Sequence, residues 1–197
     1  MQKTNYTYDK KRFEAFFDAI VAIILTILVL ELRIPEAEEA GSEGAFGQVK
    51  ALLPSFISYI GSFLLIAGIW LDHHILMLNT HSISKRYILL NMLFILSLSI
   101  VPFTTAFAGN NSHDSFAVAL LALNYFVMNV FFGSLYWYGN KTKMINSEFF
   151  KDNKSTAIYS AIGIIALLAS IPLAYLNTNF SFGIFIITFL GHLLKKK

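Results

Sequence analysis

The stretch FEAFFDAIVAIILTILVLELRI, Phe13 to Ile34, decides the fold class of this chain. From Ala19 to Leu30 it is apolar apart from Thr26. Wound as a helix its 22 residues reach about 33 Å, enough to cross a hydrocarbon layer of about 30 Å. Outward from it, five further segments read the same way: Leu52 to Leu78, Tyr87 to Phe107, Ser115 to Tyr138, Thr156 to Leu176, and a short last one from Phe180 to Leu194. The brief Asn177-Thr178-Asn179 connection predicts that the last two form a tight helical hairpin.

The composition agrees. Of 197 residues, 56% are hydrophobic and 14% are charged, well below the quarter that a soluble domain needs for its surface. The fold class predicted is therefore all-α: a polytopic membrane protein with six transmembrane helices, residues 1–197 forming a single domain. Lys and Arg set the orientation. The N-terminal stretch, the second-to-third and fourth-to-fifth connections and the tail hold all but two of the 15 basic residues. Arg33 and Lys50 stand on the other side, beside Glu36, Glu38, Glu39 and Glu43. An even number of spans with both termini cytoplasmic accounts for this alternation. The first segment exceeds the 7–15-residue apolar core of a signal peptide and has no small-residue cleavage site after it, so it reads as a span.

Several function classes drop out. Cysteine is absent, which removes disulfide frameworks, thiolate metal sites and Cys nucleophiles. The +3 net charge is spread over segment ends and does not describe a nucleic-acid-binding face. No G-x-S-x-G elbow, H-E-x-x-H helix or phosphate-binding glycine loop occurs, so the chain does not read as an enzyme. No cofactor is expected. His73 and His74 point about 100° apart on a helix and cannot ligate one ion together, so no metal site is expected either.

Ionisable groups inside a membrane are costly, about 2.5–3.5 kcal/mol at a helix centre, and so point to function. Here they gather at one depth: Arg12 and Asp18 near the start of the first helix, and Asp72, His73 and His74 near the end of the second. Arg12 and Asp18 lie six apart and do not share a helix face. Two readings stay open. In one, Arg12, Asp18, Trp70 and the histidines form an interhelical network. In the other, Arg12 snorkels, Trp70 anchors at the headgroups and Asp18 caps free backbone amides. Further along, Ile23, Ile27 and Leu30 form one stripe, which by periodicity alone is packing or lipid contact. The histidines admit pH sensing or neutral packing, and the acidic loop from Glu36 to Glu43 reads as a solvated connection.

The run Arg12-Phe13-Glu14-Ala15-Phe16-Phe17-Asp18 resembles the R-x-x-x-F-S-D signature of the transmembrane protein 175 family of potassium channels, with Phe17 where that family has Ser. Trp70-Leu71-Asp72-His73-His74 is similar to its W-x-x-H-H pattern, and Asn91 and Pro102-Phe103-Thr104 to its third-helix landmarks. The resemblance covers about the first 110 residues. It implies a bacterial single-repeat channel in the cell membrane: a homotetramer of six-helix chains whose four first helices line a potassium pore, with no carbonyl filter. It implies a hydrophobic constriction at Ile23, Ile27 and Leu30, with Thr26 as a hydroxyl contact. Arg12, Phe16, Asp18, Trp70, His73 and His74 would hold the cytoplasmic ends of the first two helices in register. Phe17 would weaken that network by removing a hydroxyl. The alternative function is a proton-coupled secondary transporter using Asp18 and the histidines, and a third is a non-conducting scaffold.

Overall fold

The structure is a computed structural model and describes residues 8–32, 44–152 and 154–193. Helix α1 spans Lys10–Leu28 and ends in a 3-10 turn, Val29–Glu31. Then come α2, Gly44–Leu78; α3, Lys85–Ser99; α4, Val101–Asn110; and α5, Ser115–Lys141. The short α6, Ser147–Asp152, precedes α7, Lys154–Leu176, and α8, Thr178–Leu193. Among the described residues the chain is all-helical but for an isolated antiparallel bridge between Thr80 and Ile145.

Three of the described helical stretches are long and apolar enough to cross a bilayer: Ser55–Leu78, Lys85–Asn110 and Ser115–Lys141, at 24, 26 and 27 residues. Ala161–Leu176 is apolar but shorter. Helix starts are fixed by side-chain caps that satisfy free N–H groups. Asp9 accepts from the amides of Lys11 and Arg12 on α1, Ser84 from Tyr87 on α3, and Asp114 from Ala117 on α5.

Four boundaries differ from the sequence expectation. The α-helical part of α1 closes at Leu28, with Ile34 outside the described residues, and α2 begins eight residues early, at Gly44. The third segment is two helices meeting at Ile100. Pro102 has no N–H to donate back to Leu98, whose carbonyl accepts from Ile100 instead. Last, α8 starts at Thr178, leaving Asn177 as the whole connection; its side-chain oxygen accepts from the amide of Asn179.

Helix α5 is the centre of the bundle, packed on α3, α4, α7 and α8, while α1 packs on α2, α3 and α4. Phe17, Leu28, Ile66, Leu76, Tyr87, Phe94, Leu98, Met128 and Leu135 fill the core where these helices meet. Buried hydroxyls and amides then tie helix to helix, as apolar surroundings demand. Ser62 on α2 donates to Thr105 on α4 at 2.9 Å, and Asn124 on α5 donates to Thr104 at 3.1 Å. The hairpin of α7 and α8 is closed by Ser181, whose hydroxyl donates to the Ser170 carbonyl at 3.1 Å.

Candidate functional site

Helix α1 has two faces. Phe13, Phe17, Val21, Ile24 and Leu28 recur at helical spacing and are buried in the bundle. On the other side Ile23 is 56% exposed, Ile27 44% and Leu30 71%. Thr26 is also exposed, and its hydroxyl donates to the Ile23 carbonyl at 2.8 Å, leaving its oxygen lone pairs outward. Beside this stripe an open apolar groove of about 370 Å³ runs along α1, lined by Ile20, Ile23, Ile24 and Ile27 with Ser99, Pro102 and Phe103 opposite.

At the first turns of α1 the polar residues meet α2 and α3. The Trp70 indole N–H donates to Asp18 Oδ1 at 2.8 Å, across 52 residues of sequence. His74 stacks on Trp70 with ring centroids 5.5 Å apart. The neighbouring His73 turns inward, 2% exposed, with Nε2 at 2.8 Å from Asn91 Oδ1. Asn91 in turn donates its amide Nδ2 to the Tyr87 carbonyl at 2.9 Å. That bond orients the Asn91 oxygen toward the imidazole, so His73 is the donor. Phe17 lies flat on the His73 ring, centroids 3.6 Å apart and planes 15° apart, with Phe94 6.0 Å from both rings.

Of the residues singled out in the sequence, the fold brings together Asp18, Trp70, His73 and His74. Arg12 and Phe16 stand outside. The Arg12 side chain is exposed and joins no ion pair among the described residues, and the Phe16 ring is 47% exposed. Asp18 bonds an indole, while the cap of α1 is Asp9. The two histidines diverge, and among the described residues no group of His, Asp and Glu could hold a metal ion. Phe17 supplies a ring stack where a lost hydroxyl was expected to leave a weakness. Sequence reasoning treated Asn91 as a landmark and missed its bond to His73. The signal was present, since a lone amide within the apolar run Tyr87 to Phe107 has to find a partner.

Residues 12–102 match the family described as endosomal/lysosomal potassium channel TMEM175. Over that stretch the chain is similar to the TMEM175 family. The stretch contains the stripe on α1, the whole Asp18–Trp70 and His73–Asn91 cluster, and the break before Pro102. A potassium channel of Streptomyces collinus is 30% identical over 135 residues, 66% of this chain and 65% of that one. A chicken (Gallus gallus) relative named endosomal/lysosomal proton channel TMEM175 is 29% identical over 132 residues, 62% of this chain and 26% of its own. The chain thus spans less than two thirds of each of these relatives. In fold, it superposes on the crystal structure of a Chamaesiphon minutus homologue of the lysosomal potassium-selective channel TMEM175, with a TM-score of 0.81. That superposition is at 21% identity and covers 94% of this chain and 97% of that one.

Proposed function

We propose that this chain is the subunit of a potassium-permeable channel. It crosses a bacterial cell membrane six times with both termini in the cytoplasm, and it assembles as a homotetramer around four copies of α1. The observation that carries the reading is the two-sidedness of α1. One face is locked into the bundle by five buried side chains, and the flank about 80–140° around the helix from it holds Ile23, Ile27 and Leu30 out of the bundle. Four such stripes facing a common axis make apolar rings. An apolar ring offers no oxygens to replace an ion's water, so passage requires a squeezed or partly shed hydration shell. Potassium holds its water less tightly than sodium, so the ring favours it without coordinating it. The same ring closes by dewetting. Thr26 sets a hydroxyl oxygen beside the stripe.

The test is single-channel recording of the reconstituted protein with potassium on one side and sodium on the other. Discrete currents reversing toward the potassium equilibrium potential support the proposal. Ile23→Asn wets the ring and erodes the preference; an unchanged permeability ratio removes Ile23 from the filter. A second reading is proton permeation or proton-coupled transport, favoured by the name of the chicken relative and by Asp18 and two histidines lying beside α1. Current that follows a pH gradient and ignores the potassium gradient would replace the first reading by the second.

A further inference from the structure

The two loops at the α2-to-α3 and α5-to-α6 connections are stapled together. Thr80 and Ile145 form the antiparallel bridge, the His81 amide donates to the Met144 carbonyl at 2.8 Å, and the Asn146 amide donates to the Asn79 carbonyl at 2.9 Å. Thr80 and Ile145 are buried beneath it. The staple brings four cations to one rim. Lys141 ends α5, Lys143 follows two residues on, and Lys85 and Arg86 open α3. The cap of α3, Ser84, sits 3.5 Å from the Tyr138 hydroxyl, one turn before the end of α5. All four cations are exposed, and none is in an ion pair among the described residues.

Helix stability accounts for Lys141 alone, in the last turn of α5. Lys85 and Arg86 occupy the first turn of α3, where the helix dipole favours anions and disfavours cations. Lys143 holds a left-handed backbone, φ +56°, where Gly or Asn fits with less strain. What lies just below the charges identifies their partner. Trp137, 62% exposed, is one turn before Lys141 on the 27-residue span Ser115–Lys141, and the Lys141 ammonium lies 4.7 Å from its ring. An exposed indole at the end of an apolar span, with a lysine ammonium lying over its ring, is the pattern of a headgroup-level anchor.

We propose that this rim binds the phosphate of an anionic phospholipid, the acyl chains lying against the span that Trp137 terminates. The proposal rests on the membrane reading above but not on conduction. Each basic residue at an anionic surface raises affinity about fivefold, so removing two of the four lowers it about 25-fold.

The test is native mass spectrometry of the purified full chain with phosphatidylglycerol, with phosphatidylcholine, and with inorganic phosphate. Retained phosphatidylglycerol, lost about 25-fold in Lys141→Gln/Lys143→Asn and again in Lys85→Gln/Arg86→Gln, supports the site. The second pair removes charges that disfavour their helix, so its loss of lipid is not a folding defect. Three results overturn the proposal: undiminished retention in both pairs, equal loss in Lys10→Gln/Lys11→Gln (diffuse charge only), or inorganic phosphate competing as well as the lipid. Because lipid occupancy is read and not current, a silent protein that keeps phosphatidylglycerol refutes the channel alone. A conducting protein with no lipid preference refutes this site alone.

Discussion

Replacing Asn91 by Leu tests whether the cluster at the start of α1 is a hydrogen-bonded unit or a set of neighbours. The substitution roughly keeps volume but removes the oxygen that accepts from His73 at 2.8 Å. His73 is 2% exposed, so water does not replace the lost acceptor. A buried donor left unsatisfied costs about 1–3 kcal/mol. For a chain of this length each kcal/mol moves the melting point by about 2–4 °C, so Asn91→Leu lowers it by roughly 2–12 °C. Adding His73→Phe removes the orphaned N–H and leaves a ring to lie on Phe17, now 3.6 Å from the imidazole. Removing both partners is close to neutral where removing one is not. The double variant is therefore more stable than Asn91→Leu and melts near the parent protein. The assay is thermal unfolding in mild detergent, read as the loss of monodisperse protein. A double variant no better than Asn91→Leu refutes the reasoning, because it would mean that Asn91 acts through something other than His73.

Three further outcomes are expected. Gly139→Ala places a Cβ 2.5 Å from Ile145 Cδ1 and 2.8 Å from Cγ1, and overpacking of this kind costs about 1–3 kcal/mol; Ile145→Val in the same chain should recover part of the melting point. Thr105→Val removes the acceptor of the Ser62 hydroxyl inside the bundle and should cost about 0.6–1.7 kcal/mol, checked by a double-mutant cycle with Ser62→Ala. Phe17→Ser introduces the hydroxyl of the R-x-x-x-F-S-D signature but empties a fully buried ring site, so it should lower the melting point by more than Asn91→Leu does; a rise would show that the hydroxyl outweighs the stack.

What the sequence made legible follows the physics of each feature. The apolar runs were readable because lipid imposes a length on them, and the starts of α5 and α7 fall within two residues of expectation. The division of α3 from α4 at Ile100 went unread although Pro102 is plain in the sequence, because hydropathy averages across a break that leaves both sides apolar. Helix α6 was missed because six residues with Glu148 and Asp152 carry no membrane signal. The staple between Thr80 and Ile145 joins residues 65 apart through backbone groups, which leave no trace in side-chain pattern. In the site, the Asp18–Trp70 partnership was one the sequence offered, whereas Asn91 and Phe17 as the partners of His73 were not. Arg12 was expected in the centre because charge draws attention, yet it stands outside, and the contacts beyond Asp18 run through an indole, an amide and a phenyl ring.

The positions of these contacts around α1 explain how a cluster at its start bears on a stripe further along. At about 100° per residue, the buried side chains Phe13, Phe17, Val21, Ile24 and Leu28 centre on the direction of Phe17. Asp18 then projects about 100° to one side, where Trp70 of α2 holds it. Ile23, Ile27 and Leu30 project about 80–140° to the other side, toward the groove whose far wall is Pro102 and Phe103. The helix is a wedge, with α2 fixed to one flank and the open stripe on the opposite flank. A rotation that loosened Asp18 from Trp70 would carry the stripe with it, because a helix turns as a body. The Phe17–His73 stack resists that rotation from between them. Two flat rings 3.6 Å apart allow sliding along their planes and oppose tilting out of them. Phe17 sets the angle of α1 by the plane of its ring. The register of the helix is therefore kept by ring packing at the centre of its buried face and by a hydrogen bond on the α2 flank.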